Sequence, residues 1–107
     1  GKNTAILDSL VQAIRLLKNS KVKTKIIILL TDGIDNSSKV SLDDVVKALK
    51  KYNIKVYTIG IGSGVNYNLL EYIANITNGK MYQAYSANDI YKIYDTINKL
   101  EKTDIKN

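Results

Sequence analysis

Five consecutive aliphatic residues, Ile26-Ile27-Ile28-Leu29-Leu30, end abruptly in Thr31-Asp32-Gly33. No other stretch of the chain constrains its fold as strongly. A run this short and apolar on every side fits a strand buried on both faces, as in a parallel sheet. Ligands of open α/β sheets bind beyond the carboxyl ends of the strands. Thr31 and Asp32 therefore fall where such folds carry their chemistry. Oxygen donors of this kind suit a hard cation such as Mg²⁺. Asp35 and Asn36, a few residues on, read as turn residues.

The rest of the apolar pattern surrounds this strand with helices. Leu7, Leu10, Val11, Ile14 and Leu17 recur at helical spacing and predict a helix over about 5–19. The first strand follows over 25–31. Ser41-Leu42-Asp43-Asp44 has the capping-box pattern and opens a helix with Leu42, Val45, Val46 and Leu49 on its apolar face. A second strand is expected over 54–61. A helix then starts near Asn68, buries Leu69, Leu70, Ile73 and Ala74, and stops at Asn78-Gly79. A third strand is expected over 80–85. Ser86-Ala87-Asn88-Asp89 caps a last helix with a buried stripe of Ile90, Ile93, Tyr94, Ile97 and Leu100. Fraying is expected after Glu101. One domain unit is read over 1–103, with 104–107 as a tail.

The order α-β-α-β-α-β-α predicts an α/β fold: a Rossmann-like, three-stranded parallel sheet with right-handed crossovers and helices on both faces. The apolarity of 26–30 marks it as a central strand. Yet no strand precedes the first helix, so one edge of 26–30 lacks a partner in this chain. An exposed, flat, apolar edge is an association hazard. Cover is expected from a second copy, another protein or a further segment of a longer chain. The sequence reads as the second half of a larger domain.

Composition removes several chemistries. There is no cysteine and no histidine, which excludes disulfides, thiolate sites, Ser/His/Asp and Cys/His mechanisms and the usual zinc centres. No apolar run approaches the roughly 18 residues of a membrane span, and no signal peptide is read at Gly1. The net charge of +6 comes from fifteen lysines and one arginine, Arg15. The lysines are spread along the chain rather than clustered, so no nucleic-acid partner is expected. Gly60-Ile61-Gly62-Ser63-Gly64 lacks the G-x-G-x-x-G spacing of a dinucleotide loop.

Several segments together resemble one family. They are Gly1-Lys2-Asn3-Thr4-Ala5-Ile6-Leu7-Asp8-Ser9-Leu10, Ile27-Ile28-Leu29-Leu30-Thr31-Asp32-Gly33 and Lys55-Val56-Tyr57-Thr58-Ile59-Gly60-Ile61-Gly62. Leu70-Glu71-Tyr72-Ile73-Ala74, Thr77-Asn78-Gly79-Lys80-Met81-Tyr82 and Ile93-Tyr94-Asp95-Thr96-Ile97 continue the likeness. In this order they resemble the C-terminal portion of a von Willebrand factor A domain, most similar to those of bacterial Bat-type aerotolerance proteins. The resemblance implies a non-enzymatic protein–protein interaction module with a metal-ion-dependent adhesion site. It implies that Thr4 and Asp32 are metal ligands, with Mg²⁺ or another divalent cation recognising an acidic side chain of a partner. It also implies a membrane-anchored parent facing the periplasm.

The family's Asp-x-Ser-x-Ser loop and first three strands are absent from these residues. Two ligands hold Mg²⁺ poorly, because it demands near-octahedral coordination. Weak or no metal binding is therefore expected of this chain alone. The competing reading is a Rossmann-like phosphoryl-transfer enzyme using Asp32 and a metal. That reading needs a second carboxylate or a phosphate-binding loop, and the sequence offers neither near Asp32.

Overall fold

The computed structural model describes residues 6–33 and 40–106. Its elements are α1 (Ile6–Leu17), β1 (Lys25–Thr31), α2 (Leu42–Lys51), β2 (Ile54–Ile61), α3 (Tyr67–Ile76), β3 (Met81–Ala84) and α4 (Ala87–Lys106). This is the alternation that the apolar pattern predicts. The strands form one parallel sheet in the order β1-β2-β3. Lys25 lies opposite Ile54 and Thr31 opposite Gly60, so β1 and β2 end at nearly the same level.

Sheet order here follows chain order, so successive right-handed crossovers place their helices on one face. α1, α2 and α3 share that face. Their Leu10, Val45, Leu49, Leu70 and Ile73 pack with Ile27, Leu29 and Val56 in one core. α4 covers the other face, where Ile93 and Ile97 meet Tyr57, Ile59 and Ala84. The result is the expected α/β, Rossmann-like sheet with helices on both faces, but with three helices against one.

The strand order corrects the expected central position of the first strand. Among the described residues, β1 is an edge strand and β2 the centre. Ile27 and Leu29 are buried, whereas Ile28 is 38% and Leu30 42% exposed. Ile26 lies on the α4 side and packs against its cluster. Ile28 and Leu30 share that face by strand alternation, and α4 leaves them partly open. β2, by contrast, is buried at Val56, Tyr57, Thr58 and Ile59 in succession.

Short-range chemistry sets the element ends. The Ser41 hydroxyl caps α2 by accepting from the Asp44 amide at 3.1 Å. Asn53 (φ 56°) and Asn78 (φ 67°) take the left-handed conformation that lets α2 and α3 turn back into strands. Beside Asn78, a Cβ on Gly79 would lie 1.8 Å from the Val56 carbonyl oxygen, so only glycine allows α3 to end against β2. Thr77 reinforces the same junction: its hydroxyl accepts from the Val56 amide at 3.0 Å and donates to the Ile73 carbonyl at 2.9 Å.

Three boundaries differ from the sequence expectation. α3 begins at Tyr67, because Asn66, not Asn68, is the cap; its side chain accepts from the Leu69 amide. Leu69 is consequently only partly buried. β3 is shorter than expected, four residues long. On α4 the buried stripe is Ile93, Ile97 and Glu101, while Tyr94 and Leu100 are 40% and 41% exposed. Steps of four residues keep one helical line toward the sheet, which leaves 94 and 100 on the flanks. The helix continues to Lys106, past the point where fraying was expected.

Candidate functional site

The carboxyl ends of the strands bring together Thr31-Asp32-Gly33, the Gly60–Gly62 segment and the residues after Ala84. β1 delivers Thr31 to the rim beside Gly60. The Thr31 hydroxyl then accepts from the Gly33 amide at 3.3 Å. This local turn uses the threonine oxygen and leaves Asp32 exposed at the end of the strand. Asp32 is thus a carboxylate presented to solvent at the edge where α/β sheets bind ligands.

The neighbouring loop is held from two sides. The Tyr67 hydroxyl donates to the Gly62 carbonyl, and Gln83 Nε2 donates to the same oxygen at 3.1 Å. The Gly62 amide donates to the Ala84 carbonyl at 2.9 Å. Gly62 adopts a positive φ of 81°. Gly60 has no side chain because the Tyr67 ring occupies its place: a Cβ there would lie 2.3 Å from the ring. Burial pushes the Tyr67 phenol above its ordinary value; the Gln83 hydrogen bond opposes that shift and Tyr85 adds to it. Tyr67 therefore stays a neutral donor at ordinary pH. Sequence reasoning missed this brace, since it weighed the glycines only against a dinucleotide loop.

Of the two metal ligands implied by resemblance, Asp32 stands at the rim and Thr4 lies outside the described residues. Asp35 and Asn36 lie outside them as well. Among the described residues no group of three or more carboxylate, histidine or cysteine side chains could hold a metal ion. One carboxylate does not fill the octahedral shell of Mg²⁺. The described residues therefore fit a contributing ligand and not a whole centre.

A second polar cluster sits near the opposite, amino-terminal ends of the strands. Glu101 on α4 is 7% exposed. Its Oε2 accepts from Lys55 Nζ at 2.9 Å and from the Tyr57 hydroxyl. Its Oε1 is buried with no hydrogen-bond partner among the described residues. The cluster pins α4 to β2. Both donors converge on Oε2, so the carboxylate is paired through one oxygen only.

A family model for the von Willebrand factor type A domain matches residues 1–96. An uncharacterized protein of Borreliella burgdorferi is 33% identical over 91 residues, which cover 85% of this chain and 26% of that protein. Inter-alpha-trypsin inhibitor heavy chain H3 of Mesocricetus auratus is 30% identical over 96 residues, covering 11% of its length. The chain thus spans about a quarter or less of these curated relatives. Among solved structures, an uncharacterized membrane-spanning protein of Vibrio fischeri superposes with a TM-score of 0.69 at 28% identity, covering 94% of this chain and 58% of that one. A von Willebrand factor type A structure from Catenulispora acidiphila also reaches 0.69, at 26% identity, covering 78% of this chain and 20% of that one. Sequence match and fold agree: the chain belongs to the von Willebrand factor type A domain family.

Proposed function

We propose that this chain is part of a non-enzymatic protein–protein interaction module, and that Asp32 and Thr4 supply two ligands of a divalent-cation site completed from elsewhere in a longer protein. The observation that carries the reading is Asp32 itself. It is an exposed carboxylate at the carboxyl end of β1, and no described residue hydrogen-bonds it. A family-level role in protein interaction supports the same reading. When bound, the cation supplies an electrophilic anchor for a partner's acidic side chain. Asp32 and Thr4 hold and orient it from this chain.

The open edge of β1 belongs to the same picture. Ile28 and Leu30 beside it favour cover by a second copy or by further polypeptide. The parent is membrane-anchored and periplasmic in this reading, of the kind found in Bat-type proteins. Likeness to a membrane-spanning protein of Vibrio fischeri supports the anchoring. Among the described residues no helix is long and apolar enough to cross a membrane.

Calorimetric titration with Mg²⁺ and Mn²⁺ tests the metal reading. The 107-residue chain is expected to show no micromolar site. The longer parent is expected to show one, and Asp32→Ala should remove it. A micromolar constant for the chain alone would overturn the reading, as would a parent site indifferent to Asp32→Ala.

A further inference from the structure

α1 and α2 lie side by side on the three-helix face, and a cavity of about 190 Å³ opens between them. Its apolar floor includes Val11, Ile14 and Val45. Ile14 and Val45 also belong to the buried core, so the floor is rigid. Tyr52 lines one part of the wall. Arg15 and Lys18 line the α1 side, and Asp44 is the single acidic group. Lys51 adds a further cation, 5.4 Å from the centre of the Tyr52 ring.

Two observations point to a ligand. Arg15 is the sole arginine in a chain that otherwise meets every need for positive charge with lysine. It lines a cavity that combines an apolar floor with charged walls, and it forms no ion pair with a described residue. Arg15 is also the basic residue of α1's last turn, where it answers the helix dipole. A guanidinium's planar fork matches a carboxylate in two parallel hydrogen bonds, which an ammonium cannot do.

We infer that the α1–α2 cavity is a second docking site, taking an acidic peptide segment of a partner protein. An aliphatic side chain of that segment fills the cavity, and a neighbouring carboxylate is held by Arg15 with Lys18. The size of the cavity suits one such side chain. The excess of positive charge around it selects acidic flanks and repels basic ones. The site is separate from Asp32 and needs no metal, so it stands or falls independently of the proposed metal reading.

The test is a chemical-shift titration of the 107-residue chain with acetyl-Glu-Glu-Leu-Glu-Glu-amide. Its counterpart with lysine in place of each glutamate and the small carboxylate 4-methylpentanoate form the comparison arms. The acidic peptide is expected to shift amides of α1 and α2, more weakly at higher salt. Arg15→Gln should weaken that binding about tenfold, the usual worth of a charge-assisted hydrogen bond. Arg15→Lys should fall between the two. Arg15 is exposed, so both variants are expected to melt like the parent. Four outcomes overturn the inference: no shift with the acidic peptide, shifts indifferent to Arg15→Gln, equal binding of the lysine peptide, or equal binding of 4-methylpentanoate, which would make the cavity a small-molecule site.

Discussion

Two tyrosines with nearly the same setting have opposite consequences. Tyr57 and Tyr82 both lie on the α4 face of the sheet. The Tyr57 hydroxyl donates to Glu101; the Tyr82 hydroxyl is buried with no partner among the described residues. Removing the Tyr57 hydroxyl costs a buried hydrogen bond to a charged acceptor, although Lys55 still serves that oxygen, while removing an orphan relieves a desolvation cost. Tyr57→Phe should therefore destabilise by roughly 1–3 kcal/mol, and Tyr82→Phe should be neutral or stabilising by up to about 1 kcal/mol, both read from urea unfolding. Burial also raises the Tyr82 phenol above its ordinary value. The unfolded chain loses that proton near pH ~10 while the folded chain retains it, so stability holds below that pH and falls as pH rises through it. Tyr82→Phe should blunt the fall. At Gly79 the limit is steric. A methyl group would meet the Val56 carbonyl, and Gly79→Ala should cost about 2–3 kcal/mol by the same measurement, as overpacking against backbone does.

At the scale of elements, β1 is where association should be most sensitive. Leu30 is 42% exposed beside the open edge, and a lysine there makes pairing with another chain unfavourable. Leu30→Lys should lower the apparent mass seen by light scattering at high concentration and change the melting temperature little. The same strand shows how far a sequence can be read. Its existence, its length and the position of Asp32 at its end were legible, because a short apolar run closed by polar residues has few other meanings. Its unpaired edge was legible too, since no strand is read before α1, but the burial of its individual residues was not. Ile28 and Leu30 are as apolar as Ile27 and Leu29, and only the packing of α4 decides which of them are covered. Glu101 was illegible for a related reason. Its partners Lys55 and Tyr57 stand 46 and 44 residues away, so a carboxylate in an apolar stripe looks like a surface residue until β2 and α4 are docked. Tyr67 was missed because its reason, the empty side of Gly60, appears only when the loop is folded.

Among the described residues the sheet is unevenly clothed: three helices on one face, one on the other, and an edge strand left apolar. This uneven cover accords with a chain that spans 58% of a solved relative's length. Family membership was legible from the order of several ordinary motifs, none of which is distinctive alone. The candidate metal site was only half legible, because Asp32 is one ligand of a site whose other implied member, Thr4, lies outside the described residues. The edge position of β1 also has a spectroscopic signature. Along an edge strand of a parallel sheet, every second amide points to the neighbouring strand and the others point away from it. From Val56 onward β2 has no such lapse, since its outward amides meet β3 and its entry or, at Val56, the Thr77 hydroxyl. Hydrogen–deuterium exchange should therefore trace a sawtooth along 25–31 and a slow plateau along 56–61. In a longer protein or a complex that pairs with β1, the teeth should flatten while the plateau stays, so the alternate, outward-pointing amides of this seven-residue strand report whether the sheet has been extended.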